Sequence, residues 1–164
     1  MALVETDTAS LLYSKILEVY GGSDIDFITY LNTTLDNAFQ QATPSLTNFD
    51  ITVPSGTLNI STDNNYISPD ILANEVYEYW SKAITPGTPV SCDNIDSVTN
   101  NADIVIEPIK SGLLQLYTNS ANGIASDPPF YEFVKIIFDA IRLIEWTIEE
   151  SDAECSQTHI GNVT

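Results

Sequence analysis

An α+β domain, mainly helical with one β-hairpin and about five helices packed in one compact body, is the fold class the sequence predicts. Three observations predict it. Apolar residues recur every three or four positions over five separate stretches, the period of an amphipathic helix. Between the second and third stretch the period drops to two on either side of Pro54-Ser55-Gly56-Thr57, the pattern of paired strands around a turn. Hydrophobic residues fill 43% of the 164 positions. A chain of this length buries roughly 70% of its unfolded surface, so neither a metal nor a crosslink is needed for it to fold.

The first helix is predicted from Leu12, Ile16, Val19 and Tyr20, with Thr6 or Thr8 as its cap and Gly21-Gly22 as its stop. Ser23 caps the second, whose first turn carries Asp24 and Asp26, where carboxylates meet the positive end of the helix dipole. Its buried stripe is Ile28, Leu31, Leu35, Ala38 and Ala42, and Pro44 ends it. The hairpin is expected over 48–61, with Val53 facing Leu58 and Ile51 facing Ile60 on one apolar face. Ser68-Pro69-Asp70 opens the third helix, with Val76 and Trp80 in its stripe, and Thr85 to Pro89 terminates it. A loop to about Asn100 follows. Ala102, Ile106, Ile109, Leu113 and Leu116 step at helical intervals through Pro108, which predicts a fourth helix kinked there; the alternative is a short strand over Ile104–Ile106 before a helix that begins near Pro108. Asp127-Pro128 opens a fifth helix, apolar around most of its circumference, with Glu132, Lys135, Asp139, Arg142 and Glu145 in one narrow charged stripe. One helical domain over 1–150 and a flexible polar tail over 151–164 are the expected organisation.

The net charge is −18, from 23 acidic and 5 basic residues. A field of that sign repels phosphate backbones and anionic lipid, which argues against nucleic-acid and membrane partners. The start of the chain lacks the basic and apolar regions of a signal peptide, and charges interrupt the longest apolar stretch, Phe130 to Ile148, too often for a membrane span.

No catalytic residue, cofactor or metal is assigned from the sequence. His159, the one histidine, falls in the expected tail, away from the rigid partners a triad or zinc site needs. Cys92 and Cys155 lack CxxC spacing, and in a chain without an export signal two free thiols are favoured over a disulfide. Asp24-Ile25-Asp26 is read as capping. Asp63-Asn64-Asn65 and Asp93-Asn94-Ile95-Asp96 are read as turn formers, with weak divalent-cation binding as the alternative. Tyr77, Tyr79, Trp80 and Trp146 are assigned to the core rather than to a ligand pocket.

The segments DFITYLNTTLDNAFQQ, NFDITVPSGTLNIS, ANEVYEYWSKAITPGTP and FYEFVKIIFDAIRLIEWTIEE, between Asp26 and Glu150, carry a resemblance. In the order of its elements the chain resembles the small uncharacterised proteins of tailed phages found among head, neck and tail genes. The resemblance implies a virion structural or assembly protein, without enzymatic activity, that works through contacts with other subunits, as a homo-oligomer or within a virion. Outside a virus the expected location is the cytoplasm. Two alternatives stand beside it: an acidic inhibitor or nucleic-acid mimic that occupies a basic host protein, and a small enzyme using carboxylates alone.

Overall fold

The computed structural model describes residues 3–18, 24–42, 44–46, 51–52, 56–63, 66–82, 85–86, 88–119 and 129–164. In chain order these form α1 (Glu5–Glu18), α2 (Asp24–Gln41), β1 (Pro44–Leu46), β2 (Ile51–Thr52), β3 (Thr62–Asp63), β4 (Tyr66–Ile67), α3 (Pro69–Ser81), β5 (Thr85–Pro86), β6 (Asn94–Asn100), a 3-10 turn (Ala102–Val105), α4 (Ile106–Asn119), α5 (Pro129–Ile141), β7 (Glu145–Asp152) and β8 (Cys155–Val163). The α+β class is therefore right, with five α-helices among the described residues, but the sheet is larger than one hairpin. Strands β1, β8, β7 and β6 form a four-stranded antiparallel sheet in that order.

The helices neighbour one another in the order α2, α1, α5, α4, α3. Phe39 of α2 closes this layer on α3, its ring 5.0 Å from Tyr79 and 5.5 Å from Trp80. The core then passes to the sheet through Trp80 and Trp146, which meet edge to face at 5.8 Å. Both indoles are buried, as is Tyr79, in keeping with the core assignment of these aromatics, while Tyr77 is only half-buried. Most of the apolar circumference of α5 is accounted for in the same way: Phe130, Phe133, Val134, Ile137, Phe138, Ala140 and Ile141 are buried and Ile136 is partly so, while Tyr131 is exposed. Of its charged stripe, Lys135 pairs with Asp139, and Arg142 with both Asp139 and Glu5. The Arg142 guanidinium also donates to Leu3 O at 2.8 Å, tying the start of α1 to the end of α5, and it holds the Glu5 carboxyl below its ordinary value.

Several expectations are corrected. Neither Thr6 nor Thr8 caps α1, which already begins at Glu5; Thr8 is buried in its first turns and its N–H bonds to Val4 O. The glycine stop and the Ser23 cap lie outside the described residues. Ser68 does precede α3 with Pro69 at the first helical position, but its side chain makes no cap hydrogen bond. Pro108 stands in the first turn of α4, after the 3-10 turn, where its missing N–H deprives the helix of nothing. It marks a helix start rather than a kink.

Among the described residues the hairpin over 48–61 is not formed. Residues 48–50 and 53–55 lie outside the described residues; Ile51 and Thr52 pair instead with Pro86 and Thr85 of β5. Leu58 and Ile60 are buried in alternation, as the period of two requires, yet they belong to no strand. Helix side chains bond four backbone groups of this segment. The Leu58 N–H bonds to Asp36 Oδ1 at 2.9 Å, the Asn59 N–H to Glu75 Oε2 at 3.0 Å, and Asn32 both accepts from Ile60 N and donates to Ile60 O, each at 2.9 Å. An extended segment laid between α2 and α3 produces the same alternation as a hairpin arm.

The largest correction concerns the end of the chain. The fifth helix stops at Ile141, residues 145–152 are β7, and the expected tail is mostly β8, an interior strand with β1 on one side and β7 on the other. Past the end of the helix two asparagines hold the departing backbone. Asn101 Oδ1 accepts from Glu145 N at 2.7 Å, and Asn162 Nδ2 donates to Ile144 O at 3.0 Å. The expected loop before Asn100 is likewise strand β6.

Candidate functional site

Among the described residues, one face of the sheet lies on the helices and the other is open. Trp146, Ile148 and Glu150 alternate inward along β7, opposite Gly161, His159 and Gln157 of β8. Outward lie Ser97 and Glu149, joined by a 3.2 Å hydrogen bond, with Thr99, Thr147, Thr158 and Ile160. All charged side chains that the described strands of this sheet carry, histidine apart, are acidic: Asp96, Glu145, Glu149, Glu150 and Asp152. The basic residues Lys15, Lys82, Lys110, Lys135 and Arg142 all sit in helices or at their ends.

The inner end of the sheet is closed by residues 88–93. Glu150 holds them down: it is buried at 1% exposure, and its Oε1 accepts from Val90 N at 2.7 Å and Ser91 N at 3.3 Å. Its Oε2 accepts from Ser91 N at 3.3 Å and lies 2.5 Å from His159 Nε2. Burial pushes the Glu150 carboxyl up, but the His159 hydrogen bond and the two amides outweigh it and hold the group below its ordinary value. A disulfide between Cys92 and Cys155 fastens the same segment, and Asp152 Oδ2 accepts from Asp93 N at 3.1 Å beside it. The favoured reading of two free thiols is thus overturned, and His159 belongs to a strand rather than a mobile tail. The sulfurs and the Asp152 carboxylate lie within 4.8 Å of one another. In the disulfide, however, neither sulfur is the thiolate a metal would need.

At the other end, β6 is an edge strand, with β7 as its one strand neighbour among the described residues. Its register shifts between Ile95 and Ser97, placing Asp96 at a bulge, and Asp96 and Thr99 are exposed. Beside this edge is a hollow of about 380 Å³, lined by Tyr77 and Ser81 of α3, Val98 to Asn100 of β6, and Ala102 and Asp103. A larger groove of about 720 Å³ runs between α1 and α2, walled by Leu3, Val4, Leu11, Tyr30 and Ala38 among others. Val4 and Leu11 are 43% and 58% exposed there, and Lys15 Nζ stands 5.3 Å from the Tyr30 ring centre.

The other residues singled out from the sequence are scattered. Asp24 is the first residue of α2, and its side chain lies outside the described residues, as do Asn64 and Asn65. Asp63 of β3 pairs with Tyr66 of β4. Sequence reasoning missed the Glu150–His159 pair and the open edge. The alternation of Trp146, Ile148 and Glu150 was the available signal.

The fold and site define an α+β protein with a helical layer on one face of a disulfide-fastened, acidic, open-edged sheet. No protein-family model, no curated protein and no solved structure matches the chain.

Proposed function

We propose that this protein is a non-enzymatic structural or assembly component of a particle such as a virion, acting through contacts with other protein subunits. The observation that carries the reading is the sheet, fastened at one end by the disulfide and Glu150, with an outer face and the β6 edge both open. Rigid strands with unpaired backbone groups are a ready template for another chain. Val4 and Leu11 beside the α1–α2 groove add exposed apolar surface of the kind that contacts use. The disulfide suits a particle that meets an oxidising medium. Light scattering at high concentration, with assay of purified particles for the chain, tests the reading. Self-association or presence in the particle is expected; a monodisperse monomer absent from particles overturns it.

One observation favours a second reading, an acidic inhibitor or nucleic-acid mimic on a basic host protein: the strands carry acidic charges and neither Lys nor Arg. A pull-down that retains no basic host protein ends that alternative.

A further inference from the structure

The open edge and the hollow beside it belong to one surface. Strand β6 runs for 7 residues, Asn94 to Asn100, without a proline or a basic residue. The last three of those residues form one wall of the hollow, whose other walls are Tyr77 and Ser81 of α3 and Ala102 and Asp103 of the 3-10 turn. A strand added to an edge gains its affinity from main-chain hydrogen bonds and its specificity from pockets that take alternate side chains. An aromatic ring together with a carboxylate is a receptor for a cationic side chain, through the ring face and a charge-assisted hydrogen bond. The charge around the edge has the same sign: Asp96 lies on it, and Glu149 lies on the neighbouring strand, bonded to Ser97.

We propose that β6 receives an extended, lysine- or arginine-bearing segment of a partner protein as a fifth strand, one of whose basic side chains enters the hollow between Tyr77 and Asp103. A second copy of this chain is disfavoured as the occupant. Two bodies of net charge −18 repel, and an acidic residue at a bulge is a device that keeps like edges apart. The inference rests on the contact reading above and names the chemistry of the partner.

The test uses the full chain and a synthetic peptide of alternating lysine and threonine, with a glutamate–threonine peptide as its counterpart. Binding is followed by calorimetry and by amide chemical shifts. Shifts are expected along residues 94–100 and at Ala102 and Asp103, with none on adding the glutamate peptide. Asp103→Asn weakens binding about ten- to a hundredfold, the loss of one hydrogen bond to a charged group. Asp96→Lys with Thr99→Lys abolishes it, and Glu132→Lys, an exposed change of the same sign on α5, leaves it nearly intact. Unchanged circular dichroism shows that each variant is folded. Shifts confined to the α1–α2 groove overturn the proposal, as does equal weakening by Asp103→Asn and Glu132→Lys, or dimerisation through β6 without peptide uptake. If the chain is found in particles while the peptide leaves β6 untouched, the edge assignment fails and the contact reading survives.

Discussion

Glu150 and His159 face one another as diagonal neighbours on the inner side of β7 and β8, with Oε2 2.5 Å from Nε2. The same carboxylate takes the N–H groups of Val90 and Ser91, so a single buried acid joins two strands to the segment that caps them. Its folded value lies below the ordinary 4.5. A carboxyl depressed in this way stabilises the fold fully above its unfolded value, and that contribution is lost as pH falls through the folded one. Thermal unfolding of the wild type and Glu150→Gln, compared from neutral pH down to about pH 3, should show the wild type more stable at neutrality and the gap closing in acid. A gap that stays constant with pH contradicts this role.

The disulfide closes a span of 63 residues between Cys92 and Cys155. Constraining the unfolded chain over that length stabilises by about 4 kcal/mol in the chain-entropy account. Urea unfolding of Cys92→Ser/Cys155→Ser should lose a comparable amount, because residues 88–93 keep the Glu150 contacts but not the crosslink. Thiol titration of the unfolded, unreduced protein should find no free thiol; two free thiols refute the bond.

How far the fold is legible depends on which partner each pattern meets. The stripe Leu31, Leu35 and Ala42 and the stripe Val76 and Trp80 point into the core as read, because helix faces pack on the shared interior whichever neighbour supplies it. The Leu58 and Ile60 alternation reports an extended, half-buried backbone but is blind to what bonds it, and here Asn32, Asp36 and Glu75 replace a second strand. The end of the chain is illegible for a different reason. On β8 the inward positions between Cys155 and Val163 hold Gln157, His159 and Gly161, and Ile160 points outward, so the strand shows no regular apolar alternation. Ile141, Ile144 and Ile148 continue the helical spacing of α5 by coincidence past its true end. Missing β8 hides the candidate site as well, since β6 is an edge only in a sheet that the sequence pattern does not announce.

Among the described residues, two helix side chains stand in for a peptide group. Asn32 bonds both ways to Ile60, and the Tyr117 hydroxyl donates to Ile67 O at 2.7 Å while accepting from Ile67 N at 3.1 Å. Removing either leaves partly buried backbone groups without their partner, at about 1–3 kcal/mol. Asn32→Ala and Tyr117→Phe should each lower stability by that amount in urea unfolding. The two effects should add, because Ile60 and Ile67 are bonded by different helices. A loss under about 0.5 kcal/mol for either variant would show that these bonds are readily replaced by water.

Gly112 of α4 faces Ile136 of α5 so closely that a Cβ placed there meets Ile136 Cγ2 at 2.8 Å. Alanine at this helical position gains about 1 kcal/mol in intrinsic propensity. Overpacking against a neighbouring helix costs about 1–3 kcal/mol. The contact atom is a branched methyl next to the Ile136 backbone, which a rotamer change relieves poorly. Packing therefore outweighs propensity, and Gly112→Ala should destabilise by about 1 kcal/mol. Ile136→Val on its own costs about 0.5–1.5 kcal/mol. Combined with Gly112→Ala it should cost less than the sum, because the two changes share one contact. A stabilising Gly112→Ala would mean that α4 and α5 can separate freely, and would put their close packing in doubt.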